Sequence, residues 1–255
     1  MGLNNIIKSS FLKITGLTLY KKLPFGLNVF EDLKFRFKGY NFQTFLDVGA
    51  NIGQTAKLMR QSFPKARILS FEPFEETFNV LIKNTTLLNV NCFRIGFGAK
   101  KEVLSAFVNI DNKNSDMNSL NIIEQDSESE KIKKVEVSIE TLDEFCKINE
   151  IKSIDYLKID TEGFELNVIR GADEYLRNQE ISFIECEVSM NKNNTFHNDF
   201  CEIKTIMESH NYFIFGIYEQ THEWKTKHQI LRRTNVVFIS EKIVNKWLSC
   251  SFKHC

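Results

Sequence analysis

Residues 45–54 have the sequence FLDVGANIGQ and predict the strand, turn and helix on which an α/β fold is built. The apolar run from Thr44 to Val48 ends in a turn with two glycines, and apolar side chains then recur at roughly helical spacing. Gly49 lacks a Cβ and lets the turn approach a ligand. Amide groups at the start of the helix favour an anionic group there. We therefore expect a ligand site at this turn.

A second run with strand character ends in an acidic residue, Glu72, about twenty residues after the turn. An acid at the tip of the second strand is placed to accept hydrogen bonds from both ribose hydroxyls of a nucleoside. The glycine turn and Glu72 together predict a site for a nucleoside-containing cofactor.

The order of residues in the turn distinguishes between cofactors. A dinucleotide fold favours G-x-G-x-x-G, with the pyrophosphate on the helix N-terminus. Here Asp47 is followed by Gly49, Asn51 and Gly53 at every second position. S-adenosyl-L-methionine has no pyrophosphate; Asp47 suits its cationic part and the turn amides suit its carboxylate. We predict this cofactor, bound by these four residues and Glu72. The alternative is a βαβ unit whose glycines serve only to pack helix on strand.

Three motifs resemble the FkbM-type S-adenosylmethionine-dependent methyltransferases: FLDVGANIGQT (45–55), SFEP (70–73) and, most specifically, DYLKIDTEGFELNVIRGA (155–172). The resemblance covers residues 45–189. It implies a class I methyltransferase, Rossmann-like α/β fold with a seven-stranded, mostly parallel sheet and helices on both faces. It also implies methyl transfer to an oxygen, often a sugar hydroxyl of a glycan or natural product, and an antiparallel pair for the last two strands.

Asp160 and Glu162 follow the predicted strand 154–159, the fourth by its order in the chain. The carboxyl tip of this strand is expected to face the methyl group and the acceptor. Two carboxylates so close together need a partner, such as a substrate hydroxyl, a metal or a cation. We predict that Asp160 orients or deprotonates the acceptor and that Glu162 supports it. The alternative is that both acids cap the following helix.

Further candidates surround these acids. Glu187, near the tip of the fifth strand, is a second candidate for the acceptor pocket. A divalent metal such as Mg²⁺ is a further candidate cofactor, with Asp160 and Glu187 as candidate ligands. The histidines offer alternative bases that the sequence does not rank: His197, His222 and His228.

Other segments are expected near the ligands. Phe97, in the turn 96–99, either stacks on the adenine or belongs to the core. Residues 111–134 are mostly polar and predict a mobile loop that folds over the cofactor or acceptor. The alternative is a surface loop without a function. The connection 218–233 contains Trp224 with charged and histidine side chains, a composition suited to acceptor recognition and equally to a surface loop.

Length and composition limit the class of protein. With 255 residues, we expect a helical extension at 1–43 and a methyltransferase domain at 44–255. Lys and Arg number 33, as do Asp and Glu, so no net basic charge favours nucleic acid as a partner. The expected partner is a small-molecule or glycan acceptor.

The six cysteines contain no C-x-x-C pair and suit reduced, buried thiols. No run spans a bilayer, and the apolar and lysine pattern near the N-terminus predicts a helix that covers the sheet or cleft rather than a membrane contact. We therefore expect a cytoplasmic location.

Two other function classes are compatible with parts of the sequence. A nicotinamide-dependent oxidoreductase requires the G-x-G-x-x-G order, which is absent from the turn. A non-catalytic cofactor-binding module requires Asp47 and Glu72 but has no need for Asp160 and Glu162. The acids after the fourth strand favour an enzyme.

Overall fold

A computed structural model describes residues 12–15, 20, 22–109, 132–191, 194, 196–223 and 228–251. Its main elements are α1 (Val29–Arg36), β1 (Thr44–Val48), α2 (Gln54–Ser62), β2 (Arg67–Phe71), α3 (Glu75–Thr85), β3 (Val90–Phe93), β4 (Gly96–Phe97), β5 (Glu102–Asn109), β6 (Ile132–Glu140), α4 (Leu142–Ile148), β7 (Ile154–Ile159), α5 (Glu165–Arg170), α6 (Asp173–Arg177), β8 (Ile181–Ser189), α7 (Phe200–Ser209), β9 (Tyr212–His222), β10 (Leu231–Ser240) and α8 (Glu241–Ser251).

Seven strands form the central sheet in the order β3-β2-β1-β7-β8-β10-β9. The first five are parallel, and β10 is antiparallel to both β8 and β9. The order reverses between β1 and β7, where the carboxyl ends of open α/β sheets leave a crevice for ligands. The predicted seven-stranded, mostly parallel sheet is confirmed.

Helices cover both faces of this sheet because successive side chains of each strand point to opposite sides. On one face, Leu46 and Leu157 belong to a core that includes Leu166 of α5 and Met207 of α7. On the other face, Phe45 belongs to a second core with residues of α1, α2 and α8. Both cores exclude water from the strands, so the sheet holds its carboxyl edge in a fixed position.

A second, three-stranded sheet has the order β4-β6-β5, with β5 antiparallel to β6. Gly96 and Phe97, expected to be a simple turn, pair with Ile139 and Glu140 of β6. These two residues form a strand because the distant strand β6 offers backbone groups for hydrogen bonding. The local sequence around Gly96 does not indicate this pairing. Most of the predicted loop 111–134 lies outside the described residues, and its last three residues belong to β6.

The chain before β1 contributes a helix to the core. Phe30 and Leu33 of α1 are buried in the cluster that includes Phe45. Asn28 caps this helix by accepting a hydrogen bond from the Glu31 amide at 3.0 Å. Much of the amphipathic segment 6–17 lies outside the described residues. Within the described part of the chain, no helix has the length and apolar character that a membrane span needs.

Candidate active site

A cleft lies at the carboxyl edge of the sheet, where β1, β2 and β7 end. Its walls include Asn51 of the glycine turn, Glu72 after β2, and Lys158, Asp160 and Glu162 at the end of β7. Six of the predicted site residues therefore line the same cleft: Gly49, Asn51, Glu72, Phe97, Asp160 and Glu162.

The glycine turn is shaped by contacts within the protein. Gly49 has φ +79°, and a Cβ added there would lie 1.8 Å from the carbonyl oxygen of Asp160. Gly53 has φ +93°, and its Cβ would meet Leu81 and Thr85 of α3 at 3.0 Å. Gly49 therefore allows two backbone turns to cross, and it also lines the cleft, where its approach to a ligand stays a prediction.

The amides of this turn are largely used inside the protein. Those of Gly49 and Ala50 donate to the carbonyl of Phe71 at 3.0 and 2.9 Å, and that of Gly53 donates to Ala50 at 2.9 Å. The amide groups that open α2, those of Gln54 and Thr55, follow directly and line the cleft. The first amides of a helix have no partner within the helix. The amides at the start of α2, rather than those of Gly49, Ala50 and Gly53, therefore fit the expectation of an anionic group at this helix start.

Glu72 connects the turn to the next helix. One carboxylate oxygen accepts from the Asn51 amide at 3.1 Å, and the other accepts from the Phe74 amide at 3.0 Å. Burial raises the pKa of Glu72 to about 7, and these two amide hydrogen bonds oppose the rise. Each carboxylate oxygen keeps a second lone pair for a ligand. Glu72 thus shapes the cleft and retains acceptor capacity in it.

Asp47 lies beneath the cleft rather than on its wall. Its side chain is fully buried, and neither carboxylate oxygen forms a hydrogen bond with any part of the chain that the structure describes. Burial raises the pKa of Asp47 to about 6, and the charge of Lys158 opposes the rise. Direct contact with a cofactor, as the sequence predicted, is blocked by this burial. The charge of Asp47 contributes to the raised pKa of Lys158 and of Glu72, which both line the cleft.

Lys158 is a site residue that sequence analysis missed. Its ammonium lies 2.7 Å from Asp160 Oδ2 and 3.2 Å from Thr55 Oγ1. Burial alone would raise the pKa of Asp160, but Lys158, Arg233 and His197 outweigh it and lower that pKa. Asp160 is therefore held as an anion on the cleft wall. Lys158 belongs to the motif at 155–172, but the alternating pattern of the strand does not indicate that this lysine contributes to the site.

The turn after β7 is held by a different acid, Glu165. Its Oε1 accepts hydrogen bonds from the amides of Thr161 and Gly163 at 2.9 and 3.0 Å and from the Thr161 hydroxyl at 3.1 Å. Helix α5 has Phe164 at its N-cap position and no side-chain cap there. The capping alternative for Asp160 and Glu162 loses its main support, because Glu165 accepts these amides.

A second polar cluster adjoins the cleft through Glu162. His197 Nε2 lies 2.7 Å from Glu187 Oε2 and 3.4 Å from Glu162 Oε2. The guanidinium of Arg233 contacts the other oxygen of Glu187. The expected metal pair of Asp160 and Glu187 is corrected, because Asp160 pairs with Lys158 while Glu187 faces His197 and Glu162.

The other predicted candidates lie elsewhere. His222 and His228 are exposed, at or beside the β9–β10 hairpin, and are absent from the cleft wall. Trp224 lies outside the described residues. Half of the segment 218–233 belongs to β9 and β10. A buried ion pair joins Arg232 of β10 to Glu223, directly after β9, at 2.9 Å. The loop expected there for acceptor recognition is therefore much shorter.

Phe97 is a core side chain. It is 1% exposed, and its ring centroid lies 4.7 Å from that of Phe71 and 5.5 Å from that of Phe145. Both ring partners belong to the same core cluster. Phe97 therefore belongs to the core, as one of the two alternatives expected, and it also lines the cleft. Stacking on the adenine stays a prediction.

Comparison with known proteins identifies the family. The model described as the Methyltransferase FkbM domain matches residues 47–214. Methyltransferase 1 of Beauveria bassiana (strain ARSEF 2860) is 28% identical over 182 residues, which are 64% of this chain and 70% of that protein. Methyltransferase sdnD of Sordaria araneosa is 27% identical over 155 residues, which are 51% of this chain and 60% of that protein.

A crystal structure of Methyltransferase FkbM from Methylobacillus flagellatus KT is similar to the chain with a TM-score of 0.48 and 15% identity. The match covers 82% of this chain and 48% of that one, so the chain spans about half its length. The family match supports a methyltransferase over the nicotinamide-dependent and the non-catalytic hypotheses. Because the matched residues are well over half of the chain and include the glycine turn, Glu72 and Asp160, the chain belongs to the FkbM methyltransferase family and is an S-adenosylmethionine-dependent enzyme.

Proposed function

We propose that the chain transfers a methyl group from S-adenosyl-L-methionine to a hydroxyl oxygen, that of a sugar in a glycan or a natural product. The proposal rests chiefly on one observation: the Asp160 carboxylate, paired with Lys158 at 2.7 Å, shares a cleft with the glycine turn and Glu72. An anionic hydrogen-bond acceptor in this cleft is able to orient an acceptor hydroxyl and to receive its proton.

The cofactor is assigned to the half of the cleft nearest β1 and β2. Glu72 accepts hydrogen bonds from the ribose hydroxyls. The amides of Gln54 and Thr55, at the N-terminus of α2, bind the methionine carboxylate. Asn51 and Gly53 shape the turn between these groups. Asp47 adds a buried negative charge that favours the cationic sulfonium and ammonium groups.

The reaction is an in-line displacement. A lone pair of the acceptor oxygen attacks the methyl carbon, and the electron pair of the S–CH₃ bond stays on sulfur, which becomes a neutral thioether. The hydroxyl proton passes to Asp160. A carboxylate with a lowered pKa is a weak base. The attacking hydroxyl becomes strongly acidic as the C–O bond forms, so a weak base placed at hydrogen-bonding distance is sufficient.

Glu162 supports the acceptor side of this arrangement. It lines the same cleft as Asp160 and lies 3.4 Å from His197, at the entrance to the second cluster. Paired carboxylates are a common way to bind the hydroxyl groups of a sugar. Glu162 therefore orients the acceptor while Asp160 receives its proton.

We further propose a cytoplasmic location and a small-molecule or glycan acceptor rather than a nucleic acid. Four described cysteines have free thiols, which suits a reducing compartment: Cys92, Cys146, Cys186 and Cys201. The formal net charge of +0 provides no excess of cationic groups for phosphate binding.

The test is mass spectrometry of a panel of sugars and glycosylated natural products incubated with the protein and methyl-labelled S-adenosylmethionine. We expect a methyl ether that carries the label at one hydroxyl oxygen. Formation of this ether should be abolished in the Asp160→Asn variant. Label on a nitrogen or carbon, with no O-methyl product across the panel, would contradict the proposal. Surface variant Lys204→Met is the matched control, because its partner Glu208 lies in an exposed helical pair.

A further inference from the structure

We propose that Glu162, Glu187 and His197 bind a divalent first-row transition-metal ion beside the cofactor cleft. These residues come from three elements: the turn after β7, the end of β8 and the segment before α7. One donor atom of each lies within 4.8 Å of the other two. For ligands about 2.0–2.2 Å from one ion, donor atoms are about 2.8–3.1 Å apart at octahedral angles and about 3.3–3.6 Å apart at tetrahedral angles. The two distances found here are 2.7 and 3.4 Å.

Burial distinguishes this cluster from an ordinary group of surface acids. Glu187 is 3% exposed and His197 is 7% exposed. Although Glu187 Oε2 and His197 Nε2 face each other, neither atom forms a hydrogen bond with the described part of the chain. Buried polar atoms are nearly always satisfied in native proteins. Two such buried atoms that converge on one point indicate a ligand that contacts both of them.

The outer atoms of the same side chains are held by neighbours. Glu187 Oε1 contacts the guanidinium of Arg233, and His197 Nδ1 lies 2.9 Å from Asn194 Nδ2. Such outer contacts fix the direction of metal ligands in known sites. They leave the inner atoms, Oε2 and Nε2, directed toward the shared point.

Metal ligation has a consequence for Asn194. An ion bound at His197 Nε2 leaves the ring proton on Nδ1, so Asn194 must present its oxygen to the ring instead of its nitrogen. The amide nitrogen and oxygen have nearly the same shape. Turning the amide gives up the 3.3 Å hydrogen bond that Asn194 Oδ1 accepts from the Phe196 amide. An aspartate at this position would present an oxygen in either orientation.

The ligand set selects the type of ion. Two carboxylates and one imidazole suit Mn²⁺, Fe²⁺, Co²⁺ or Zn²⁺, whereas Mg²⁺ prefers oxygen ligands and retains its waters. Three protein ligands leave positions open for a substrate oxygen. Since Glu162 also lines the cleft, an open position on its side faces the acceptor.

The role of the ion rests on the proposed function, whereas its binding does not. An acceptor hydroxyl bound to the ion is a stronger acid, so its proton passes more readily to Asp160. The oxygen lone pair then attacks the methyl carbon, and the S–CH₃ electron pair remains on sulfur. The ether formed is a weaker ligand than the alkoxide and dissociates from the ion.

The test uses Co²⁺ with the chelator-treated full chain, without cofactor or acceptor. Calorimetry and visible absorption are expected to show one ion per chain with nitrogen and oxygen ligands. Glu187→Gln and His197→Ala should each weaken binding by 10-fold or more, and Asn194→Asp should keep or tighten it. The matched control is His210→Ala, which removes a histidine that faces only one carboxylate, Asp173, at 3.2 Å.

Several results would overturn the site: no Co²⁺ binding, a thiolate charge-transfer band, or unchanged affinity in the Glu187 and His197 variants. If Glu187→Gln fails to fold after losing its contact with Arg233, Glu162→Gln provides the test, since its side chain is 27% exposed. Failure of the proposed function is distinguishable: Co²⁺ bound with no O-methyl product rejects O-methylation alone. Full methyl transfer by the metal-free protein rejects the catalytic role of the ion.

Discussion

The ammonium of Lys158 lies 2.7 Å from the carboxylate of Asp160 and is the cationic centre of a row of polar residues that crosses the sheet. Lys158 pairs in register with Asp47 of β1 and with Glu185 of β8. The three acids raise the pKa of Lys158 above its usual range, although burial alone would lower it. One cation thus neutralises several carboxylates that would otherwise repel one another beneath the cleft.

This arrangement predicts that Lys158→Met destabilises the fold strongly. The lysine side chain is 11% exposed, so its removal leaves buried carboxylates without a counter-charge. The expected loss in free energy of unfolding is about 3–5 kcal/mol. The loss should shrink at low pH, where the carboxylates are protonated. Urea unfolding at several pH values measures both effects.

Lys204→Met is the control for that experiment, since Lys204 forms an exposed pair with Glu208 at 2.7 Å. Exposed pairs of this kind contribute about 0.3–0.5 kcal/mol. Equal losses in the two lysine variants would show that Lys158 is not the counter-charge of the row. Asp160→Asn should cost less than Lys158→Met, because Lys158 keeps Asp47 and Glu185 as partners.

The raised pKa of Glu72 predicts how the affinity for the cofactor depends on pH. Burial raises the pKa of its carboxyl from 4.5 to about 7 in the free protein. Ribose hydroxyls donate hydrogen bonds to the anion, so binding lowers this pKa and competes with the proton. Affinity should therefore rise as the pH is raised toward about 7 and level off above it. Calorimetric titration with S-adenosylmethionine across this range measures the slope.

Glu72→Gln serves as the control, because it fills the same space without titrating. It should weaken binding by about 1–3 kcal/mol, the scale of hydrogen bonds to a charged group. The slope that remains belongs to other groups, among them Asp47 with its pKa of about 6. An unchanged slope in Glu72→Gln would exclude Glu72 as the titrating group. The effect of Glu72 on the stability of the fold has the opposite dependence on pH. Its raised pKa in the folded protein stabilises the fold below about pH 4.5, and this contribution disappears as the pH rises through 7.

The two glycines of the turn should differ in their tolerance of alanine. At Gly49 the new Cβ meets the Asp160 backbone at 1.8 Å, so the strand ends must separate. We expect Gly49→Ala to destabilise by about 3 kcal/mol or more and to weaken cofactor binding. At Gly53 the Cβ meets only side-chain ends at 3.0 Å, and the cost is chiefly the left-handed backbone, about 1–2 kcal/mol. Comparable losses at both positions, from urea unfolding, would contradict the backbone crossing.

The parts of the fold that the sequence predicts are those that depend on residues close together in the chain. The strand 44–48, the glycine turn and Glu72 follow from an apolar run, two glycines and an acid at the expected spacing, and the structure has the same strand. The strand residues 218–222 and 231–233 were interpreted as part of a connection, because their pairing in the β9–β10 hairpin has no local signal.

The missed features depend on residues distant in the chain. Lys158 has no local signal, because its role arises from parallel register with Asp47 and Glu185. Phe97 is buried by Phe71 and Phe145, which its own glycine-rich turn does not indicate. The grouping of His197 with Glu187 depends on how the segment before α7 returns to the end of β8. Sequence spacing alone therefore predicts candidates better than it predicts their partners.

The last prediction concerns Asp160 and the chemical step. Asp160→Asn keeps the size of the side chain and removes the charge that receives the proton. Turnover should fall by about 10²-fold or more, the usual scale for a lost general base. Cofactor affinity should be preserved, because Asp160 is assigned to the acceptor half of the cleft. Single-turnover methyl transfer and cofactor titration on the same preparation measure both quantities.

Three outcomes have different meanings for Asp160. Loss of turnover with normal cofactor binding agrees with its action on the acceptor. Loss of both would assign it to the cofactor site, through the shared contact of Lys158 with Thr55. Full activity would return it to a structural role, as the partner that keeps Lys158 charged. Asp173→Asn is the matched control, because it removes an exposed carboxylate outside the cleft, and it should leave both measurements unchanged.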